Sequence, residues 1–290
     1  MKRSQTQAQQ RVGFGHLLFR SLYRLMHCEG PQGAAAISFF SLFTLFPLML
    51  CILASTDQVL FIFGARDAVF HTLMELFPGM RLFLQQRLEE MTPPSKELFL
   101  TCIALFFWSA TWIFDFLESA MNRAWQVTER RTFLRGRLLS LWIIILVSIL
   151  FFLSTCTTVI VTQLAEEAGH VQKFSRLSPW LFPLSRILLI SFGFLFTLAI
   201  FFLLYKAVPN TRIRFRDAFR GAVLSSVLWQ LANYLFALLM PYLDYSRIYG
   251  SIGMIMALLS WVYFSNMIML WGIHYSAVWK EDASAAGETP

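Results

Sequence analysis

The sequence predicts an all-α integral membrane protein with six transmembrane helices, and three observations predict it. First, 57% of the 290 residues are hydrophobic and only 14% are charged, whereas soluble domains carry roughly 45–50% apolar and about 25% charged residues. Second, the apolar residues are gathered into runs long enough to cross a bilayer, which takes about 20 residues for a hydrocarbon core about 30 Å thick. Third, the 24 Lys and Arg residues alternate in density from one connecting segment to the next. In a soluble chain the net charge of +7 would suggest nucleic acid. Here basic loops on one side of a membrane account for it.

The six runs, in order, cover about 33–55, 98–119, 138–163, 180–205, 217–241 and 248–279. The N-terminal arm, the second and fourth loops and the tail together hold 16 Lys and Arg residues, and the remaining segments hold 8. By the positive-inside rule both termini are cytoplasmic. Residues 1–32 form a cytoplasmic arm. Its stretch "GHLLFRSLYRLMH" reads as an amphipathic helix with Arg20 and Arg24 placed for anionic headgroups. No cleavable signal peptide is expected, and the first run serves as an uncleaved anchor. Residues 33–279 form the membrane domain. Its outer loop, 56–97, carries Val69, Leu73, Leu76 and Phe77, then Pro78-Gly79, then Phe83, Leu84, Leu88 and Met91. That spacing suggests two short interfacial helices. The small, polar residues 280–290 are expected to be a disordered cytoplasmic tail.

Polar residues inside such runs are the candidate functional groups, because charge in hydrocarbon is costly and usually faces a bundle interior or water. On the second run Thr111, Asp115, Glu118, Asn122 and Trp125 fall on one helical stripe. Two readings stand. The stripe lines a hydrophilic pathway, or the helix is descending to the interface, where Arg123, Arg130 and Arg131 pair with its acids. On the fifth run Ser226, Gln230 and Asn233 share a face and serve as lining or as interhelical hydrogen-bond glue. On the sixth, Tyr263, Asn266 and His274 do the same, with His274 either titrating or packing. Gly250 and Gly253 make a small-residue pair that permits close backbone approach, beside the interface anchors Tyr245 and Tyr249. Pro47 suggests a kink in the first span. Asp217 is placed to cap the fifth helix. The basic and aromatic "RIRFRDAF" is a cytoplasmic loop on this reading, and nucleic acid is not an expected partner.

No cofactor or metal is expected. There is no GxSxG, Walker, HExxH or EF-hand pattern, and the five histidines are scattered. Cys28, Cys51, Cys102 and Cys156 fit no metal or disulfide spacing and read as packing residues.

Four stretches together resemble the YihY/BrkB family of bacterial inner-membrane proteins: "GAAAISFFSLFTLFPLM" with Pro47, "AMNRAW" with Asn122 and Trp125, "YKAVPNTRIRFRDAFRGA" with Pro209, and "IYGSIGMIMALLSWVYFS" with Tyr249, Gly250 and Gly253. They occur in the family's order over roughly 33–279. The resemblance implies six helices, both termini cytoplasmic and an inner-membrane location. It implies no settled activity: members carried the label ribonuclease BN, later regarded as mistaken, and are discussed as transporters or as envelope and virulence factors. This chain departs from the family's Gly-Ala-Glu in the last span, having Gly272, Ile273 and His274. The function expected first is a transporter or lipid-handling protein, with membrane lipids as partners and a lipid or small molecule as substrate. A membrane-bound nuclease or hydrolase and an envelope-assembly scaffold are the alternatives.

Overall fold

A computed structural model describes residues 13–55, 96–127, 178–239 and 252–285, with isolated positions at 242 and 249 and between 136 and 153. The bounded elements are six helices: α1 (Phe14–His27), α2 (Gly30–Ser55), α3 (Lys96–Ala124), α4 (Ser178–Ala207), α5 (Phe215–Leu239) and α6 (Gly253–Ala285). No strand occurs among the described residues. Leu100–Ala124, Phe215–Leu239 and Ile255–Ala285 are long and apolar enough to cross a membrane, and Ser191–Ala207 is a shorter apolar helix. The outer loop lies outside the described residues. So does most of the third run, apart from scattered helical positions between 136 and 153.

Helices prevail because long apolar runs, in lipid, leave the backbone no partner but itself. The break between α1 and α2 has a local cause. Glu29 adopts φ 57°, a left-handed conformation that costs a side-chain-bearing residue about 1–2 kcal/mol. A Cβ on Gly30 would run into the Leu25 side chain and its carbonyl, so only glycine allows the turn. At the other end of α3, Val127 N–H donates to Asn122 O (3.0 Å) and Gln126 N–H to Arg123 O (3.1 Å). With Gln126 at φ 55° this is a Schellman stop.

Two compact units divide the chain. One comprises Ala35–Asp115 and Tyr242–Tyr263, the other the segment up to Ala34, Phe116–Pro241 and the segment from Phe264 onward. In the first unit α2 meets α3 through aromatics. Phe40 stacks on Trp112 with centroids 5.9 Å apart, and Phe43 meets Trp108 edge-on at 6.2 Å.

The second unit holds a close helix crossing. A Cβ on Gly221 of α5 would strike Ser276 Oγ and the Gly272 carbonyl, and a Cβ on Gly272 of α6 would strike Ser225 Oγ and Tyr205 Oη. Small residues let these backbones approach, and polar groups then bond across them. Ser276 Oγ donates to Asp217 O (2.8 Å), and Ser225 Oγ to Ile268 O (3.2 Å). From α4, the fully buried Tyr205 hydroxyl donates to Met269 O at 2.6 Å and lies 2.6 Å from Ser225 Oγ. Helix α1 packs on α6 through Leu17, with Tyr275 and Val278, and Trp271 Nε1 donates to Ser21 Oγ (2.9 Å).

Two local expectations are corrected. Helix α5 begins at Phe215, and the N–H groups of Asp217 and Ala218 both bond to Arg214 O, so Arg214 holds the cap position. Asp217 sits buried in the first turn, where its charge suits the helix dipole. Helix α6 continues to Ala285, so the polar residues from 280 are helical through 285. Glu281 explains this, since it pairs with Arg24 at 2.5 Å and Arg20 at 3.3 Å.

Candidate functional site

The polar stripe on α3 is graded in burial. Asp115 is exposed, Thr111 and Glu118 are half-buried, Asn122 is buried and Trp125 is half-buried. The gradient reflects neighbours: from Leu117 onward α3 lays Ala120, Met121 and Ala124 into a core, all at most 3% exposed beyond Leu117 itself. Thr111 turns its hydroxyl back to Phe107 O (2.9 Å). Asp115 closes one unit, whereas Glu118, Asn122 and Trp125 belong to the other.

Within that second unit the end of α3 meets α1, α2 and α6. Arg24 of α1 donates to Ala124 O (3.0 Å), capping the last carbonyls of α3, while its other nitrogen holds Glu281. Arg123 donates to Ser119 Oγ (3.1 Å) and lies 3.9 Å from Glu29, and a Cβ on Gly33 would come within 3.3 Å of Arg123 and Ala120 and 3.6 Å of Leu270. His274, 1% exposed, has Arg24 and Arg123 as its charged neighbours. Lys280 rests over the Trp125 ring at 5.1 Å. Nδ1 of His274, Nε of Arg123 and Nε1 of Trp125 are buried with no hydrogen-bond partner among the described residues.

Asn122 has a definite task. Its Oδ1 accepts the backbone N–H of Asn210 at 2.7 Å, clipping the α4–α5 loop to the end of α3. Lys206 donates to Ile213 O and closes the same loop on itself, and Pro209 is buried within it.

The remaining sequence candidates are dispersed. On α5 Ser226 is buried and bonds its own helix at Ala222 O (2.7 Å), Gln230 is half-buried and Asn233 is exposed. On α6 Asn266 is half-buried. Pro47 is buried inside α2, Gly253 opens α6 and is buried, Tyr249 is exposed, and Gly250 lies outside the described residues. No group of three or more metal-ligating side chains occurs among the described residues.

Sequence reasoning missed Tyr205, Gly221, Ser276 and Glu281, and noted Gly272 without its packing role. Gly221-x-x-x-Ser225 and Gly272-x-x-x-Ser276 each repeat a small residue at one helical turn, a signal that could have found the crossing. No sequence signal pairs Arg24 with Glu281, 257 residues away.

A family model described as "Virulence factor BrkB" matches residues 21–290. The chain belongs to the BrkB family. Among similar proteins, a UPF0761 membrane protein of Pseudomonas aeruginosa (strain LESB58) is 28% identical over 86% of this chain and 59% of its own length. The UPF0761 membrane protein lpg0643 of Legionella pneumophila is 29% identical over 84% of this chain and 57% of its own length. The ribonuclease-like protein YfkH of Bacillus subtilis is 25% identical over 90% of this chain and 94% of its own. This BrkB-family chain therefore spans under two thirds of the UPF0761 relatives it matches. No solved structure matches. Two of the stretches that carry the BrkB resemblance, around Asn122 and around Asn210, are bonded to one another in the fold.

Proposed function

We propose that this BrkB-family protein crosses the bacterial inner membrane six times with both termini in the cytoplasm, and that it handles a lipid or small polar solute along the polar faces of α3, α5 and α6. On this reading residues 1–32 are a cytoplasmic arm, residues 33–279 the membrane domain, and the polar residues from 280 a cytoplasmic tail that is helical through 285. One observation carries this reading: an ionisable side chain, His274, is buried in a membrane helix with Nδ1 unpaired among the described residues and two arginines for charged neighbours. Ionisable groups at such positions mark substrate or ion paths by default. Asp115 and Glu118 extend the polar groups along α3 toward the membrane interior.

The test is reconstitution into proteoliposomes, following transbilayer movement of short-chain fluorescent phospholipids and release of small anionic solutes. Movement above that of empty vesicles is expected. Asp115→Asn, Glu118→Gln and His274→Phe are each expected to reduce it without lowering the amount of protein reconstituted. Wild-type vesicles indistinguishable from empty ones, or full activity in all three variants, would end this reading.

A further inference from the structure

Helix α1 has three distinct sides. At about 100° per residue, Leu17, Ser21 and Leu25 share the side that packs on the protein, where they are at most 2% exposed. Phe19, Leu22, Tyr23 and Met26 lie roughly opposite, at the i, i+3, i+4, i+7 spacing of a helical stripe, and are 70%, 36%, 58% and 54% exposed. His16, Arg20, Arg24 and His27 form a basic edge between the two. A helix standing in water would turn polar residues outward, whereas this one is apolar both toward the protein and away from it.

We infer that α1 lies in the plane of the bilayer interface, with Phe19, Leu22, Tyr23 and Met26 among the acyl chains and the edge carrying Arg20 at the headgroups. The occupant of the outer stripe is lipid for three reasons. The stripe continues a membrane surface, since α1 is docked directly on the spanning helix α6 through Trp271, Tyr275 and Val278. The flanking edge stays net basic, since Arg20 and Arg24 share the single carboxylate of Glu281, and Arg20 is half-exposed beside the stripe, the charge that complements anionic headgroups. The stripe is also small for a protein partner: a 14-residue helix is about 21 Å long, and its four exposed apolar side chains offer roughly 400 Å², against about 800 Å² per partner in a stable interface.

A geometric consequence follows for the buried polar cluster. The 33 residues of α6 extend about 50 Å, more than the roughly 30 Å hydrocarbon core. With α1 in the interface, the α6 segment from Trp271 to Glu281 that it touches, about 15 Å long, passes through the membrane border on one side. His274 and Asn122, both buried, and Arg123 then sit near the membrane border, away from the midplane. This inference holds whatever substrate the protein handles.

Spin labels at Phe19→Cys and Tyr23→Cys test it, in full-length protein with Cys28, Cys51, Cys102 and Cys156 replaced by Ala, in phosphatidylethanolamine–phosphatidylglycerol nanodiscs. Arg212→Cys serves as the aqueous control. Expected is a ratio of oxygen to nickel-chelate collision rates several-fold above the control at both positions. Ready collision with the nickel chelate would place α1 in water, and poor access to both reagents would place it against another protein copy; either overturns the inference. The native protein gives a second measurement that needs no cysteine replacement. A lipid-soluble carbene photolabel should mark the peptide containing Phe19 and Tyr23, and an unmarked peptide beside marked α5 and α6 peptides would refute it.

Discussion

At the residue scale, Gly272 makes the clearest demand. Alanine is ordinarily favoured over glycine in a helix by about 1 kcal/mol. At Gly272, however, the added carbon meets Ser225 Oγ, Tyr205 Oη at 2.6 Å and Gly221 O at 2.9 Å. Overpacking of this kind costs about 1–3 kcal/mol, so the sign reverses. Gly272→Ala should lower the thermal unfolding midpoint in detergent. Adding Ser225→Ala should recover only part of the loss, because the Gly221 carbonyl belongs to backbone that cannot rotate away. Tyr205→Phe removes one hydroxyl and its bond to Met269 O, and should cost about 0.6–2 kcal/mol by the same assay. An unchanged midpoint in both Gly272→Ala and Tyr205→Phe would mean that α4, α5 and α6 do not cross as described.

At the scale of elements, the sequence made helices legible and their junctions largely illegible. Apolar runs at 33–55, 98–119, 180–205 and 217–241 foretold α2, α3, α4 and α5 to within a few residues, because bilayer thickness sets the length of an apolar run. The amphipathic pattern around Leu17 and Leu25 foretold α1. Ends were harder. Asp217 looked like a cap by residue type, yet the cap position belongs to Arg214 by backbone hydrogen bonds. The end of α6 depends on Glu281 finding Arg20 and Arg24, a tertiary fact. Arg24, expected at headgroups, is instead spent on Glu281 and Ala124 O and is only 14% exposed. The loop joining α4 to α5 is clipped to the end of α3 through Asn122, and Asn122→Ala leaves the Asn210 N–H without that partner. Hydrogen exchange of the amides of Val208 and of residues 210–213 should accelerate in this variant while the α5 interior keeps its protection. Unaltered exchange there would show that Asn122 does not hold the loop.

At the scale of the whole molecule, the distribution of Lys and Arg carries more information than any single residue. The proposed orientation rests on 16 basic residues against 8. A fluorescent protein fused after residue 290 should therefore glow, and alkaline phosphatase at the same place should be inactive. The opposite pair of results would invert the topology. The candidate site was only partly legible at this scale. His274 and Asn122 stood out as polar residues in apolar runs, but the arginines that attend His274 come from α1 and from the end of α3, which no local pattern relates.

The docking of α1 on α6 also sets a schedule for biogenesis. Ser21 and the Trp271 that binds it are 250 residues apart, and at roughly 5–20 residues per second a ribosome needs on the order of tens of seconds to supply the second after the first. During that interval Leu17 and Leu25 have no protein to cover them. A helix that is apolar on both sides can wait on the membrane surface, rolled onto either stripe, until α6 arrives. Helix α6 is thus the one that fixes α1 in place, and a chain stalled before residue 271 should leave α1 open to proteases and to chaperones that recognise uncovered apolar surface.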